Sequence, residues 1–187
     1  DDAGGVEGGA AALLDYCPRL GRRVDPDADI LLARVEDLVN QRPSWVPAEL
    51  VFYPAPEVGQ SLYGGNTNGL ASGNSVVEAS VHALCELIEH DVWSFDFVRR
   101  DSQWVLPESL PRRAGEAFSR ASEAGLELAL RTIDNEFGIP FFVAFLFDPT
   151  IPDRQFFNGG WGCHPNRQIA MMRALAEVAQ SRAAYAS

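Results

Sequence analysis

A continuous apolar run, IPFFVAFLF at residues 139–147, constrains the fold more than any other feature. A run without polar alternation is typical of a buried strand. The preceding segment, LELALRTID, does alternate and predicts a second strand. The segment NRQIAMMRALAEVAQSRAAYA predicts a final helix, with Pro165 at or near its first turn. Such a mixture of helices and strands predicts an α/β fold, with α+β as the alternative.

The remaining segments predict shorter elements. Residues 1–11 are acidic and glycine-rich, so we expect a flexible lead-in. DPDADILLARVEDLVNQ predicts a helix that starts near Pro26 and ends at RPSWVP, and AELVFYPAP predicts a short strand. PESLPRRAGEAFSRASEAG predicts a helix ending at Gly125. NGGWGCHP predicts a loop, and the four tryptophans are most simply interpreted as packing residues.

Composition excludes several classes of function. The net charge of -11 disfavours nucleic acid and anionic membranes as partners, although a metal ion could still bring in nucleotide phosphates. A P-loop is excluded because the chain has no lysine. Cys17, Cys85 and Cys163 are few and far apart, which is typical of neither a disulfide framework nor a zinc site. With no signal peptide and no apolar run of membrane-spanning length, we expect a cytoplasmic protein.

A glycine-containing loop leads into an acidic helix at residues 66–91, and the helix reaches about Val98. At about 100° per residue, its three glutamates and one histidine fall on one stripe roughly a quarter-turn wide. These residues are Glu78, Glu86, Glu89 and His82. The side chains predicted beside the stripe, on the buried side, are Val77, Val81, Leu84, Cys85 and Ile88. The acids therefore border the core instead of lying opposite to it.

Acids that meet at the edge of a core repel one another and lose solvation. Either arginines from elsewhere in the fold neutralise them, or a divalent cation binds there. Oxygen ligands favour Mg²⁺ or Ca²⁺. For Glu78 alone there is a structural alternative, because Ser75 lies at the spacing of a capping box. The loop glycines and the helix N-terminus suit an anion, so a metal could bridge acids and phosphates.

The final helix carries Arg173, Glu177 and Gln180 on one face. The simplest interpretation is an i, i+4 ion pair between Arg173 and Glu177. Arg182 falls on the opposite, apolar side, where an arginine should pair with an acid or extend towards water. Either arginine could neutralise the acidic stripe or bind phosphate.

Two separated motifs resemble the signatures of YcaO-domain proteins. They are TNGLASGNSVVEASVHALCELIEHD and GCHPNRQIAMMRALAEVAQSR, which occur in the family's order. The second includes the His-Pro, Arg-Ala-Leu and Glu-x-x-Gln-Ser-Arg elements. The resemblance runs from about Trp45 to the last residue. We therefore expect a YcaO-like nucleotide- and metal-binding segment at residues 45–187, after a lead-in and helix at residues 1–44.

The resemblance implies a mixed sheet with packed helices, of which this chain holds a part. It implies that ATP and Mg²⁺ activate a peptide backbone amide, which a nucleophile converts into an azoline or thioamide. The implied Mg²⁺ ligands are Glu78, Glu86 and Glu89. The implied nucleotide-binding residues are Asn74, Ser75, Arg173 and Arg182. The implied partners are a ribosomal precursor peptide, a TfuA-like or E1-like protein, and further copies of the chain in a homo-oligomer.

The sequence departs from the family pattern at two places. His90 stands where the family usually has arginine. Nothing before Asn66 matches the family's earlier glycine- and serine-containing motif or its other E-x-x-E-R helix. Whole members are also longer, so we expect a truncation, a fragment or a degenerate relative. Two alternatives to an active YcaO enzyme stay open: a non-catalytic YcaO-like module that supports a partner, and a metal-dependent hydrolase with carboxylate ligands.

Overall fold

A computed structural model describes residues 13–25, 27–151 and 157–185. The chain forms two compact units, Asp1–Leu70 and Ala71–Ser187. The predicted lead-in at residues 1–11 lies outside the described residues, as does Pro26. None of the helices in the described ranges is long and apolar enough to cross a membrane.

The first unit contains a β-hairpin where the sequence predicts a helix. Strand β1 (Leu32–Asp37) pairs in antiparallel fashion with β2 (Arg42–Pro47), so the predictions of a helix and of a break at RPSWVP are wrong. The Asp37 carboxylate closes the turn by accepting the N–H groups of Val39 and Asn40, each at 3.0 Å. The side chains of Leu38 and Val39, which contribute to the helical spacing, are exposed.

The predicted strand AELVFYPAP is also wrong, because its first residues form a 3₁₀ turn at Ala48–Leu50. The Glu49 carboxylate accepts the Ser61 hydroxyl at 2.7 Å and the backbone N–H groups of residues 62–64 at 2.6–2.9 Å. Burial acts to raise the pKa of Glu49, but these hydrogen bonds outweigh it and hold the pKa below its ordinary value. This carboxylate ties the 3₁₀ turn to residues 61–64.

The second unit is built on a four-stranded antiparallel sheet of order β3-β4-β5-β6. The strands are β3 (Gln103–Trp104), β4 (Glu127–Thr132), β5 (Phe141–Phe147) and β6 (Asn158–Cys163). The predictions of β4 and β5 are confirmed. The prediction of a loop at NGGWGC is wrong, because this segment pairs with β5 along its whole length. Its three glycines hide the strand, since glycine is depleted in sheets.

Three helices cover the sheet, and all three confirm predicted helices. They are α1 (Val76–Arg99), α2 (Arg112–Glu123) and α3 (Arg167–Tyr185). A 3₁₀ turn at Pro107–Ser109 precedes α2. Gly125 follows α2 with φ +74°, which confirms it as the glycine that ends this helix.

The side chains of β5 alternate between two cores. Phe142, Ala144 and Leu146 pack with α2 and α3 on one face of the sheet. Phe141 and Val143 pack against α1 on the other face. The sheet is therefore covered on both faces, which explains the unbroken apolar run. The predicted mixed helix and strand fold is confirmed.

Two glycines of β6 let α3 lie directly on the sheet. A Cβ atom on Gly160 would overlap the backbone of Ala174 and Val178, and one on Gly162 would overlap the backbone of Ala170 and Ala174. No side chain fits between the strand and the helix at these points. The close contact places the charged face of α3 at the edge of the sheet.

The buried side of α1 is narrower than the sequence predicts. Cys85 and Val92 are buried, and Val81 packs against them. Val77 and Leu84, predicted on this side, are 73% and 58% exposed. The helix touches the sheet along one strip only, and the stripe of acids lies at the margin of that strip.

Candidate functional site

A cavity of about 670 Å³ lies between α1, β6 and α3. Its volume is within the range of small-molecule sites. Three acids, one arginine and two histidines supply its charged and titratable lining: Glu86, Glu89, Glu177, Arg173, His82 and His90. The remaining lining residues are Trp93, Trp161, Ala176 and Gln180. The predicted stripes on the two helices therefore face one space.

The exposed edge of β6 positions the charged side chains. Because β6 is the last strand of the sheet in the described residues, its outward backbone groups have no strand partner among them. The Trp161 N–H donates to Oε2 of Glu177 at 2.7 Å. The Cys163 N–H donates to Glu89, and the Cys163 carbonyl accepts from Nη1 of Arg173 at 3.5 Å. The backbone of one strand thus anchors side chains from α1 and α3.

The acids in the cavity oppose one another's ionisation. Burial, together with the negative charges of Glu177 and Glu86, raises the pKa of Glu89 to about 7. The Cys163 N–H and Arg173 act in the opposite direction but do not cancel this rise. Burial also raises the pKa of Glu177, although the Trp161 N–H partly offsets it. The ligand-free cavity therefore has an excess of negative charge.

We expect stability to fall as pH rises between 4.5 and about 7 in the absence of metal and nucleotide. In that window the folded chain holds a proton on Glu89 that the unfolded chain has released, so ionisation favours unfolding. The loss should be on the order of 2 kcal/mol, measured by urea unfolding in EDTA at about pH 5 and about pH 8. Glu89→Gln should flatten this dependence. Equal slopes for the two proteins would contradict the placement of Glu89.

The predicted ion pair between Arg173 and Glu177 is absent from the described part of the chain, and that prediction is wrong. Glu177 accepts the Trp161 N–H instead, and Arg173 turns to the carbonyl of Cys163. The sequence does not predict these partners, because NGGWGC, which forms β6, is predicted to be a loop. It does place Arg173, Glu177 and Gln180 correctly on one face, since all three line the cavity.

Asn74, Ser75 and Glu78 form a second cluster at the N-terminus of α1. The Glu78 carboxylate accepts the N–H of Asn74 at 2.8 Å and its side-chain amide at 3.1 Å. The Glu78 N–H donates to the Ser75 hydroxyl at 3.2 Å, which confirms the capping interpretation. Glu78 does not line the cavity. It lies about 12 Å along the helix from Glu86, since each residue rises about 1.5 Å.

Arg182 lies away from the cavity. It is half-buried on α3. The Thr150 hydroxyl is the main cause of the lowered pKa of Asp148, and the charge of Arg182 adds a smaller effect. The proximity of Asp148 agrees with the prediction that an arginine on the apolar side of the helix pairs with an acid.

The donor chemistry of the cavity fits Mg²⁺. Its oxygen donors are carboxylates, and a cation between them would relieve the repulsion that raises the pKa of Glu89. Among the described residues, no three His, Cys, Asp or Glu side chains are gathered closely enough to hold a metal by themselves. That arrangement is consistent with Mg²⁺, which usually binds one or two carboxylates, several waters and substrate phosphates.

Two tryptophans form the apolar end of the cavity. The rings of Trp93 and Trp161 meet edge to face with centroids 5.5 Å apart. Nε1 of Trp161 is buried and lacks a hydrogen-bond partner among the described residues. The interpretation of tryptophans as packing residues therefore overlooks their place in this lining. Only the pairing of β6 with β5 shows that Trp161 turns towards α1.

The family described as YcaO cyclodehydratase, ATP- and Mg²⁺-binding, matches residues 10–187. The chain belongs to the YcaO family. The resemblance inferred from the two motifs is confirmed. The family binds ATP and Mg²⁺, in agreement with the predicted cofactors and with the carboxylates of the cavity.

Two relatives are longer than this chain. A protein of Methanothermobacter thermautotrophicus is 36% identical over 163 residues, which are 85% of this chain and 43% of the relative. A protein in the tfuA 3′ region of Rhizobium leguminosarum bv. trifolii is 35% identical over 127 residues, which are 63% of this chain and 30% of the relative. The chain therefore spans less than half the length of these relatives.

Solved structures of YcaO proteins share the fold. YcaO from Methanopyrus kandleri, bound with AMPPCP and Mg²⁺, has a TM-score of 0.67 and 27% identity, over 81% of this chain and 40% of that one. The E. coli microcin synthetase McbBCD complex with pro-MccB17 bound has a TM-score of 0.66 and 14% identity, over 84% of this chain and 41% of that one. At that identity the second likeness shows the fold alone.

Proposed function

We propose that this chain is the Mg²⁺- and ATP-binding core of an enzyme that activates a peptide backbone amide for azoline or thioamide formation. One observation carries the proposal: Glu86, Glu89 and Arg173 line a single cavity in which the acids are in electrostatic conflict. Bound ATP would supply the phosphoryl group that activates the amide oxygen. A nucleophile would then attack the amide carbon, and the activated oxygen would leave with the transferred phosphate.

The charge of each residue determines its proposed role. Glu86 and Glu89 would hold Mg²⁺, and Arg173 would bind a phosphate oxygen. Asn74 and Ser75 would contact the nucleotide at the N-terminus of α1, where the end of the helix favours an anion, and Glu78 would be a further Mg²⁺ ligand. Glu78 would first have to release its hydrogen bonds to Asn74. The proposed role of Arg182 in nucleotide binding has no support from the geometry.

The proposed partners rest on the comparisons. The microcin synthetase was solved as a complex with its peptide pro-MccB17, and the Rhizobium relative lies beside tfuA. We therefore propose a ribosomal precursor peptide as substrate, with a TfuA-like or E1-like protein as helper. A thioamide product is proposed only because the Rhizobium relative lies beside tfuA.

The second candidate is a YcaO-like module without catalysis that supports a partner protein. His90 favours this candidate, because it lines the cavity where the family usually has arginine. An imidazole there lacks the forked pair of donors with which a guanidinium binds phosphate. Binding of Mg²⁺ and ATP without any turnover of peptide would support this second candidate.

Calorimetric titration with ATP, with and without Mg²⁺, tests the proposal. We expect heat of binding only when Mg²⁺ is present, since the acids repel phosphates until a cation neutralises them. ATP binding of equal strength in EDTA would contradict the proposed site. Release of phosphate or pyrophosphate that depends on added peptide would then separate the enzyme from the non-catalytic module.

A further inference from the structure

A second groove, of about 570 Å³, lies between the start of α2 and the first half of α3. Three arginines line it, Arg112, Arg113 and Arg173, and no acid is among its lining residues. Arg112 pairs with Glu116 at 3.1 Å, but both side chains are largely exposed, so the pair adds little stability and can exchange for another carboxylate. In a chain of net charge -11, this groove is a local excess of positive charge.

Apolar side chains lie among these arginines. Ile169 is 42% exposed and Met172 is 36% exposed, and both line the groove together with Pro111. Exposed apolar atoms between cations are unfavourable for a site that takes only a small, fully hydrated anion. They suit a chain in which carboxylates alternate with apolar side chains.

The groove joins the cavity described above. Arg173 and Ala176 line both spaces, so the groove and the cavity are neighbours on α3. A nucleotide with its metal would fill the cavity beside the acids. A peptide whose backbone amide reaches that nucleotide would then continue past Arg173 into the groove.

We propose that the groove binds an acidic, partly apolar segment of the peptide substrate next to the reacting amide. Arg112 and Arg113 pair with its carboxylates, and Ile169 and Met172 contact its apolar side chains. The identity of this peptide as the substrate rests on the proposed function. The binding preference itself rests on the charge and shape of the groove.

The test is fluorescence anisotropy of the chain with three short fluorescein-labelled peptides: alternating Glu and Leu, alternating Gln and Leu, and alternating Glu and Ser. The Glu–Leu peptide should bind roughly tenfold more tightly than either of the others at low salt. The double variant Arg112→Gln/Arg113→Gln should lose this preference. The matched control Arg34→Gln/Arg120→Gln removes two exposed arginines outside the groove and should keep it.

Three results would overturn the inference. Equal binding of the Glu–Leu and Glu–Ser peptides would make the groove a plain anion patch, and an unchanged affinity in the double variant would place the peptide elsewhere. A change of sedimentation coefficient in the double variant alone would make the groove an interface between copies. Calorimetry of the same samples with Mg²⁺ and ATP separates the two proposals. If the chain does not bind ATP but still prefers the Glu–Leu peptide, only the proposed function is rejected.

Discussion

Replacing Glu86 and Glu89 together with glutamine should abolish Mg²⁺-dependent ATP binding and stabilise the ligand-free chain. Glutamine keeps the shape and the hydrogen-bonding capacity but removes the charge that attracts the cation. It also removes the buried charge and the repulsion that together raise the pKa of Glu89, so the ligand-free chain becomes more stable. Calorimetry should show at least about a thirtyfold loss of affinity, in line with losses of about 2–5 kcal/mol when a buried charge partner is removed.

The matched control is Glu108→Gln/Glu123→Gln, which removes two exposed acids outside the cavity. It should leave both ATP binding and the midpoint of thermal unfolding near those of the original chain. Weaker ATP binding together with higher stability in the cavity variant would indicate that a cation normally neutralises these acids. Retained Mg²⁺-dependent binding in that variant would reject Glu86 and Glu89 as ligands.

Gly162→Ala should strongly destabilise the second unit. The new Cβ would overlap backbone atoms of Ala170 and Ala174, and backbone cannot move aside as a flexible side chain can. We expect α3 to shift away from β6 at a cost of about 2 kcal/mol or more in the free energy of unfolding. Because α3 carries Arg173 and Glu177, nucleotide binding should weaken as well.

Gly115→Ala on α2 is the control for this substitution. Nothing lies within 4 Å of a Cβ atom built there. Alanine should therefore stabilise the chain by about 0.5–1 kcal/mol, because it favours a helix over glycine. Urea unfolding of both variants measures the contrast. A Gly162→Ala protein as stable as the original would show that α3 does not rest directly on β6.

Sequence reasoning succeeded where one element's own pattern decides its structure. The helices and the strands β4 and β5 are apolar or amphipathic over enough residues to be distinguished from their neighbours. It failed at β1, where a two-stranded pairing and the Asp37 turn overrode a helical spacing. It failed again at β6, where glycines needed for the contact with α3 remove the usual strand signal.

The candidate site shows the same division. Glu86 and Glu89 follow from the helical period, as does the common face of Arg173 and Glu177. The partners of Arg173 and Glu177 do not, because they are backbone groups of a strand that only pairing creates. The Glu78 carboxylate accepts the Asn74 N–H at the start of α1, although the family pattern groups Glu78 with Glu86 and Glu89.

The amino-acid sequence by itself determined the helices, the buried strand, the one-sided stripe of acids and the family, because these depend on residue order within short segments. The tertiary structure alone decided which acids face one another and which backbone groups hold them. In that structure, α1 and α3 pack on opposite faces of the sheet and meet at the edge of β6. Close approach, burial and the raised pKa of Glu89 arise only when distant segments exclude water together.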